Sequence, residues 1–292
     1  MTTLFTGPIK TRSLFTGPMK GASAFVTILD KLSVPSNGSW AARLLRSSYS
    51  GKCMNVRRSS DNAQQDIGFV NGVLDTASLL AFVGANNGFV TKWYDQSGAG
   101  LDVAQATAVN QPQIVASGVV TKINSTPAPL FSGNQWVSAT ASFIVNSMNG
   151  VFYAPSNVST SESSIITLQL LGNGSLLRLT LTNAIGFNAP LTLVYTSANN
   201  VYTPPVAGIA TAVSNTAGSS NIYLNGTSVA STSGVTQVSA SGNILSVGSF
   251  GNAVQFMNGN IGETMLFGSS LSVADRQILE RNQESFYGIS GV

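Results

Sequence analysis

The stretch Asn87–Gln105, NGFVTKWYDQSGAGLDVAQ, decides which fold this sequence predicts. Its first half alternates between two faces, with Phe89, Thr91 and Trp93 on one and Val90, Lys92 and Tyr94 on the other. A period of two that is rich in β-branched and aromatic residues is typical of a strand. Residues 95–98, DQSG, predict a turn, because Asp and Ser side chains bond nearby amides and Gly accepts positive φ. With a second short strand at 102–106, the stretch predicts a hairpin with a polar tip.

The amino-acid sequence of this hairpin also resembles that of a known family. Residues 93–115, WYDQSGAGLDVAQATAVNQPQIV, resemble the core of the arabinofuranosidase-B-type catalytic domain. The resemblance covers about residues 38–120 and includes Ala41–Leu45, Tyr49–Gly51, Val56–Asp61 and Asp66–Gly68. Domains of this type resemble concanavalin-A-like (laminin-G-like) modules, and similar segments occur in phage virion proteins. The resemblance implies an all-β, concanavalin-A-like two-sheet antiparallel jelly-roll sandwich with a few short helices over residues 35–292.

Composition supports a sheet-rich domain. Only 9% of the 292 residues are charged, against about 25% in an ordinary domain. The surface must therefore consist mostly of uncharged polar residues, which suits antiparallel sheets with many turns. The net charge of +3 is too small for the dense basic stripe of a nucleic-acid-binding protein, so no nucleic acid partner is expected. Arg57 and Arg58 are instead predicted to form an ion pair with Asp61 or Asp66.

The sequence lacks the residues that several kinds of catalytic and binding site require. Cys53 is the only cysteine and there is no histidine, so neither an intramolecular disulfide nor a histidine base is predicted. No phosphate loop, zinc spacing or EF-hand pattern is present, and we expect no cofactor and no metal site. No apolar run reaches the ~18–20 residues of a membrane span, so no membrane partner is expected. The absence of an apolar leader predicts synthesis in a host cytoplasm.

Local signals place three short helices and one tight hairpin. Helices are predicted at residues 39–48, 75–84 and 272–286, the second capped by Asp75 and the third by Ser272. Asn225-Gly226 predicts a two-residue hairpin turn, because both residues tolerate positive φ. Residues 256–267 and the terminal helix resemble the closing elements of a laminin-G or concanavalin-A-like sandwich.

The N-terminal segment, residues 1–34, contains a duplicated peptide. LFTGPIK at residues 4–10 returns as LFTGPMK at residues 14–20. An extended arm with two docking peptides fits this repeat, since such arms add strands to a neighbour's sheet edge. Two strands of the domain itself fit it equally well. The docking residues would be Leu4, Phe5, Pro8, Lys10, Leu14, Phe15, Pro18 and Lys20.

The sequence has no carboxylate at the positions where the resemblance would place the two that the family's hydrolytic mechanism uses. A retaining glycosidase uses two carboxyl groups roughly 5–5.5 Å apart. The corresponding regions here, residues 176–188 and 247–254, contain no Asp or Glu, and the 100 residues between Glu162 and Glu263 contain none. The resemblance aligns Thr182 with the nucleophile and Ser249 or Phe250 with the acid/base. We therefore predict no catalytic residue and no enzyme activity.

A glycan site is the alternative use of the surface. Sugars bind aromatic faces surrounded by polar groups, although alternating aromatics in a sandwich are usually core. Tyr195 and Tyr202 are expected to be the most exposed aromatics, and Asp95 is expected to hold the turn. The candidate carbohydrate-binding residues are Trp93, Tyr94, Asp95, Gln96, Trp136, Tyr195 and Tyr202.

Together these patterns predict a non-catalytic structural protein of a bacteriophage virion, either a head decoration or fibre or a tail-associated module. The arm would attach it to other virion proteins or to further copies of itself as a homo-oligomer. The sandwich would project outward, with a host surface glycan as its candidate ligand. The competing hypotheses are an active α-L-arabinofuranosidase-like glycoside hydrolase and a free carbohydrate-binding lectin.

Overall fold

The structure is a computed structural model that describes residues 27–156, 163–170, 173–180, 182–189, 193–215, 219–233, 243–251 and 254–291. The duplicated peptides at 4–10 and 14–20, and Glu162, lie outside the described residues.

The described residues form an all-β, antiparallel structure with few helices. The strands of the first half are β1 Gly38–Ala41, β2 Met54–Arg58, β3 Gln64–Ile67, β4 Phe69–Val70, β5 Val73–Leu74, β6 Gly88–Trp93, β7 Val103–Ala104, β8 Gln113–Ala116, β9 Val119–Val120, β10 Lys122–Ile123, β11 Thr126–Pro127, β12 Leu130–Ser132 and β13 Val137–Ala141. Those of the second half are β14 Ser147–Ala154, β15 Ser163–Leu170, β16 Asn173–Leu179, β17 Ile185–Ala189, β18 Leu193–Thr196, β19 Val206–Val213, β20 Ser219–Leu224, β21 Thr227–Ser233, β22 Asn243–Val247 and β23 Asn258–Phe267. The α-helices are α1 Thr76–Val83 and α2 Val273–Tyr287, with 3₁₀ turns at Ile28–Asp30 and Ala108–Asn110.

Two layers of strands form the sandwich. In the first layer, β23 pairs with β1 and β12 on one side and with β14 on the other, and β19, β20 and β21 follow β14. In the second layer the order is β3, β2, β6, β7, β13, β22, β15, β16, β17 and β18. Strand β8 pairs with both β6 and β12, so the two layers are hydrogen-bonded to each other at this edge.

The main core lies between the layers. Phe152 of the first layer and Phe187 of the second belong to one cluster of buried hydrophobic side chains, and both are 0% exposed. The layers come very close at Gly150, where a β-carbon would stand 2.6 Å from a methyl carbon of Ile165. Burial of large apolar side chains from both faces is what holds such a sandwich together.

Two of the three predicted helices are confirmed. The Asp75 carboxylate accepts a hydrogen bond from the Ser78 amide at the start of α1. Ser272 accepts one from the Asp275 amide at the start of α2, as the capping pattern predicts. The helix predicted at 39–48 is wrong. Residues 38–41 form β1, because pairing with β23 satisfies their backbone and all four of these residues are buried.

Other local predictions agree with the structure. Asn225 and Gly226 have φ of 46° and 78° between β20 and β21, which confirms the hairpin turn. Arg58 Nη2 lies 2.6 Å from Asp61 Oδ2, which confirms the predicted ion pair, whereas Arg57 is buried against Gln111. Cys53 is free and buried. Of the helices in the described residues, none has the length and apolar character that crossing a bilayer requires.

Candidate functional site

The tip of the β6–β7 hairpin is built by Asp95. Its buried carboxylate accepts hydrogen bonds from the backbone amides of Ser39 (2.9 Å), Ser97 (2.8 Å) and Leu101 (3.0 Å). Carboxylates that accept several amide hydrogen bonds are typical of turns. The structure therefore confirms that Asp95 holds this turn, and its oxygens are already used by the protein.

The neighbouring Gln96 joins the hairpin to the segment after β1. Its Oε1 accepts a hydrogen bond from the Leu45 amide at 2.8 Å, and its Nε2 donates to the carbonyls of Ala41 and Arg43. Because Gln96 is 0% exposed and its groups are paired, it serves the fold and has no surface to offer a glycan.

The predicted aromatic residues do not come together as one surface. Trp93 is 0% exposed and donates from its ring to the Ala41 carbonyl. Tyr202, expected to be exposed, is buried: its ring packs against Phe152 at 6.1 Å, and burial raises the pKa of its phenol to about 12. Trp136 is half-buried and stacks on Phe256, and Tyr195 lies on the distant β18 opposite Phe187. Of the predicted set, Tyr94 alone lines the groove described next.

An open groove of ≈ 460 Å³ crosses the outer face of strands β3, β2, β6 and β7. Its lining is mostly polar: Asn55, Gln64, Asp66, Thr91, Lys92, Tyr94, Ala104, Gln105, Ala106 and Gln111. The strand register explains why distant residues meet here. Asn55 is directly opposite Asp66 on β3 and opposite Lys92 on β6, and Lys92 is opposite Ala104 on β7. Side chains at paired positions point to the same face of a sheet.

The exposed Asp66 carboxylate is the centre of the groove's hydrogen bonds. Its Oδ1 accepts from Asn55 Nδ2 and from the Tyr94 hydroxyl, both at 2.8 Å. Burial of Tyr94, the hydrogen bond to Asp66 and the charges of Asp66 and Asp102 raise the pKa of the Tyr94 phenol to about 12. The Tyr94 hydroxyl therefore stays protonated and acts as a donor toward Asp66 in the neutral pH range.

Lys92 places a cation on the same face. Its Nζ lies 5.3 Å from the centre of the Tyr94 ring and 3.8 Å from Oδ2 of Asp102, whose Oδ1 accepts from the Asp95 amide. Both side chains of this ion pair are more than a third exposed, so water screens the pair and its members are accessible to a ligand.

Two buried amides form the inner side of the groove. Gln111 Oε1 accepts from Arg57 Nε at 2.7 Å, and Gln111 Nε2 donates to the Gln105 carbonyl at 2.9 Å. The Gln105 Oε1 accepts from the Thr107 amide. These contacts occupy the amide groups of the inner wall, whereas Asp66, Gln64 and Lys92 present exposed polar groups to the groove.

Sequence reasoning missed most of this groove. Asn55, Gln64, Asp66, Gln105 and Gln111 were not among the predicted binding residues. A signal existed on β2, where the polar Asn55 interrupts the apolar Met54 and Val56. Nothing in the local pattern, however, indicates which strands pair with one another. Within the described residues, no group of three or more Asp, Glu, Cys or His side chains is placed to hold a metal ion.

A family model described as "Alpha-L-arabinofuranosidase B, catalytic" matches residues 33–162. This is less than half of the chain, and every residue that lines the groove falls inside it. No curated protein matches the chain.

Solved arabinofuranosidases share the fold. One is a mutant GH54 α-L-arabinofuranosidase soaked with 4-nitrophenyl α-L-arabinofuranoside, and another is an arabinofuranosidase complexed with arabinofuranosyl-α-1,2-xylobiose. Each matches with a TM-score of 0.66 at 15% identity and covers 87% of this chain. The match spans 63% of the length of those structures. At this identity the likeness shows the fold.

These findings confirm the resemblance to the arabinofuranosidase-B type and correct one prediction. The prediction that the chain is not an enzyme is corrected, because the family model that matches residues 33–162 is that of a catalytic domain. The carboxylate-free span from 163 to 262 shows only where in this sequence a catalytic carboxylate does not lie.

Proposed function

We propose that this chain is a carbohydrate-active domain of the arabinofuranosidase-B type that binds arabinofuranosyl-bearing glycans in the groove around Asp66 and Tyr94. The observation that carries the proposal is the coincidence of two features. The open polar groove of the described residues lies entirely within the segment that matches the arabinofuranosidase family model.

The chemistry of the groove suits sugar hydroxyls. A hydroxyl both donates and accepts, so a sugar needs acceptors such as the Asp66 carboxylate beside donors such as the Asn55 amide and the Lys92 ammonium. Hydrogen bonds to charged groups are the stronger kind, at about 1.5–3 kcal/mol each. The Tyr94 ring adds an amphipathic surface beside them.

Hydrolysis is the second candidate function, and the family match favours it. Glycoside hydrolysis requires two carboxyl groups that flank the bond to be cleaved. Asp66 lines the groove, and Asp102 forms an ion pair with Lys92, which also lines the groove. We therefore propose Asp66 and Asp102 for the acid and base roles.

One experiment with two readouts tests both functions. Binding of arabino-oligosaccharides is measured by calorimetry, and release of 4-nitrophenol from 4-nitrophenyl α-L-arabinofuranoside is measured in parallel. We expect Asn55→Ala to weaken binding by about tenfold, because a ligand donor and the support of Asp66 are lost. Gln65→Ala is the control, since Gln65 lies on the neighbouring strand β3, between Gln64 and Asp66, and does not line the groove.

The outcomes separate the two candidates. Binding that Asn55→Ala and Gln65→Ala weaken equally contradicts the groove as the site. Turnover that disappears in both Asp66→Asn and Asp102→Asn supports hydrolysis by this pair, whereas turnover that survives both changes places the catalytic carboxylates elsewhere. A protein that binds no arabinofuranosyl glycan contradicts the proposed function.

We also propose a jelly-roll connection of the strands and a position in a bacteriophage particle. A jelly-roll connection of the strands is supported by the resemblance to concanavalin-A-like sandwiches. A position in a bacteriophage particle, reached through residues 1–34, is supported by the duplicated LFTGPIK and LFTGPMK peptides.

A further inference from the structure

We propose that Asp66 sets the specificity of the groove, so that it binds neutral glycans and rejects those that carry a carboxylate or sulfate beside the bound sugar. This inference deepens the proposed function and rests on it. The class of ligand is a neutral pentosyl or hexosyl unit that presents hydroxyl donors to the free oxygen of Asp66.

The first support is the geometry of the Asp66 carboxylate. Asn55 and Tyr94 both donate to Oδ1, which fixes the orientation of the side chain. No hydrogen bond of the described residues ends on Oδ2, and the residue is exposed in the groove. An oriented carboxylate with one unused oxygen accepts hydroxyl hydrogens at little entropic cost, and it repels a second anion at the same place.

The second support is that the nearby cations, Lys92 and Arg57, already contact other groups of the protein. Lys92 is already paired with Asp102 and lies over the Tyr94 ring. Arg57 is 9% exposed and donates to Gln111, Asn62 and the Ala108 carbonyl behind the groove. Arg57 is therefore not available to form the bidentate pair by which proteins hold a ligand carboxylate, and Lys92 offers a single ammonium group whose charge Asp102 partly balances.

The pKa values of two nearby tyrosines are also affected by these carboxylates. Burial raises the pKa of Tyr94 first, and the hydrogen bond and charge of Asp66 and the charge of Asp102 raise it further. Burial likewise raises the pKa of the neighbouring Tyr49, and the charge of Asp102 adds to it. The charges of Asp66 and Asp102 thus reach this face, and a ligand carboxylate placed beside Asp66 would meet their repulsion.

The test compares one oligosaccharide in two charge states. The probe is an arabinofuranosyl-substituted xylo-oligosaccharide with a uronic acid next to the arabinofuranosyl unit, used as such and after its carboxyl group is reduced to an alcohol. At about 0.01 M salt, we expect the full-length protein to bind the reduced probe at least about tenfold more tightly. At about 1 M salt the preference shrinks, because the Debye length falls from about 30 Å to about 3 Å.

Matched variants test whether Asp66 causes the preference for the reduced probe. Asp66→Asn is expected to reduce the preference to within about twofold, while Lys92→Gln increases it by removing the cation. Asp61→Asn removes the same charge from the adjacent β2–β3 turn, where Asp61 pairs with Arg58, and should leave the preference unchanged. Equal effects of Asp66→Asn and Asp61→Asn would contradict a local role and indicate only net charge.

Failure of the inference and failure of the proposed function give different results. A protein that binds both probes equally tightly overturns the specificity inference and leaves glycan binding intact. A protein that binds neither probe at either salt concentration overturns both.

Discussion

At the scale of single residues, Arg43 and Glu263 form a buried ion pair that connects the sandwich to α2. Arg43 Nε lies 2.7 Å from Glu263 Oε2, and Nη2 lies 3.1 Å from Oε1, with both side chains nearly inaccessible. Asn282 and Gln283 of α2 complete the network. Burial would lower the pKa of Arg43, but the charge of Glu263 and its hydrogen bonds outweigh burial and raise it.

Removal of one partner of this pair should be far more damaging than removal of both. We expect Arg43→Met to lower the free energy of unfolding by about 3–5 kcal/mol, since it leaves the Glu263 charge buried and unpaired. The double variant Arg43→Met/Glu263→Met should recover most of this loss. Urea unfolding of the four proteins in the cycle measures it, and a double variant less stable than Arg43→Met would contradict the account.

At the scale of elements, Asp275 ties α2 to the segment that precedes β1. Its Oδ1 accepts from the Ser33 amide at 2.8 Å, and its Oδ2 accepts from the Ser33 hydroxyl at 2.6 Å. Burial raises the pKa of Asp275, but the hydrogen bonds from Ser33 and Ser272 outweigh it and hold the pKa below its usual value. Asp275 thus bonds Ser272, the N-cap of α2, and also anchors the segment that precedes β1.

This contact predicts how stability depends on pH. A carboxyl whose pKa is lower in the folded than in the unfolded state stabilises the fold above the unfolded value of about 3.9. That contribution disappears as the pH falls through the folded pKa. We therefore expect Ser33→Ala to reduce the free energy of unfolding at pH 7 and the difference from the unmodified protein to shrink below about pH 4. Ser60→Ala, on an exposed turn, is the control and should show no such change with pH.

At the scale of the whole molecule, residues 28 and 29 anchor the first described segment in the core. Ile28 and Leu29 are buried, and the Leu29 amide donates to the Leu45 carbonyl at 2.9 Å. A deletion that tests the predicted docking arm should therefore stop at residue 26 and leave this contact in place.

Deletion of residues 1–26 should separate folding from assembly. We expect the free energy of unfolding to stay within about 0.5 kcal/mol of the full chain, as for surface changes in general. If the duplicated peptides dock between copies, light scattering should show an oligomer for the full chain and a monomer for the truncated one. The same state in both proteins would contradict a role of the arm in self-association.

Features that depend on a few neighbouring residues were predictable from the sequence. The caps of α1 and α2, the Asn225-Gly226 turn and the bond from the Ser97 amide to Asp95 follow from side chains that bond or relax the nearby backbone. The pairing of the strands, and therefore which of their faces are covered, became known from the three-dimensional structure. Pairing with β23 makes residues 38–41 a strand, and Trp93 of the second layer is buried against the first layer, where its ring bonds the Ala41 carbonyl. The register of β3, β2 and β6 brings Asp66, Asn55 and Lys92 into one groove, because contacts between residues far apart in the chain leave no mark in local periodicity.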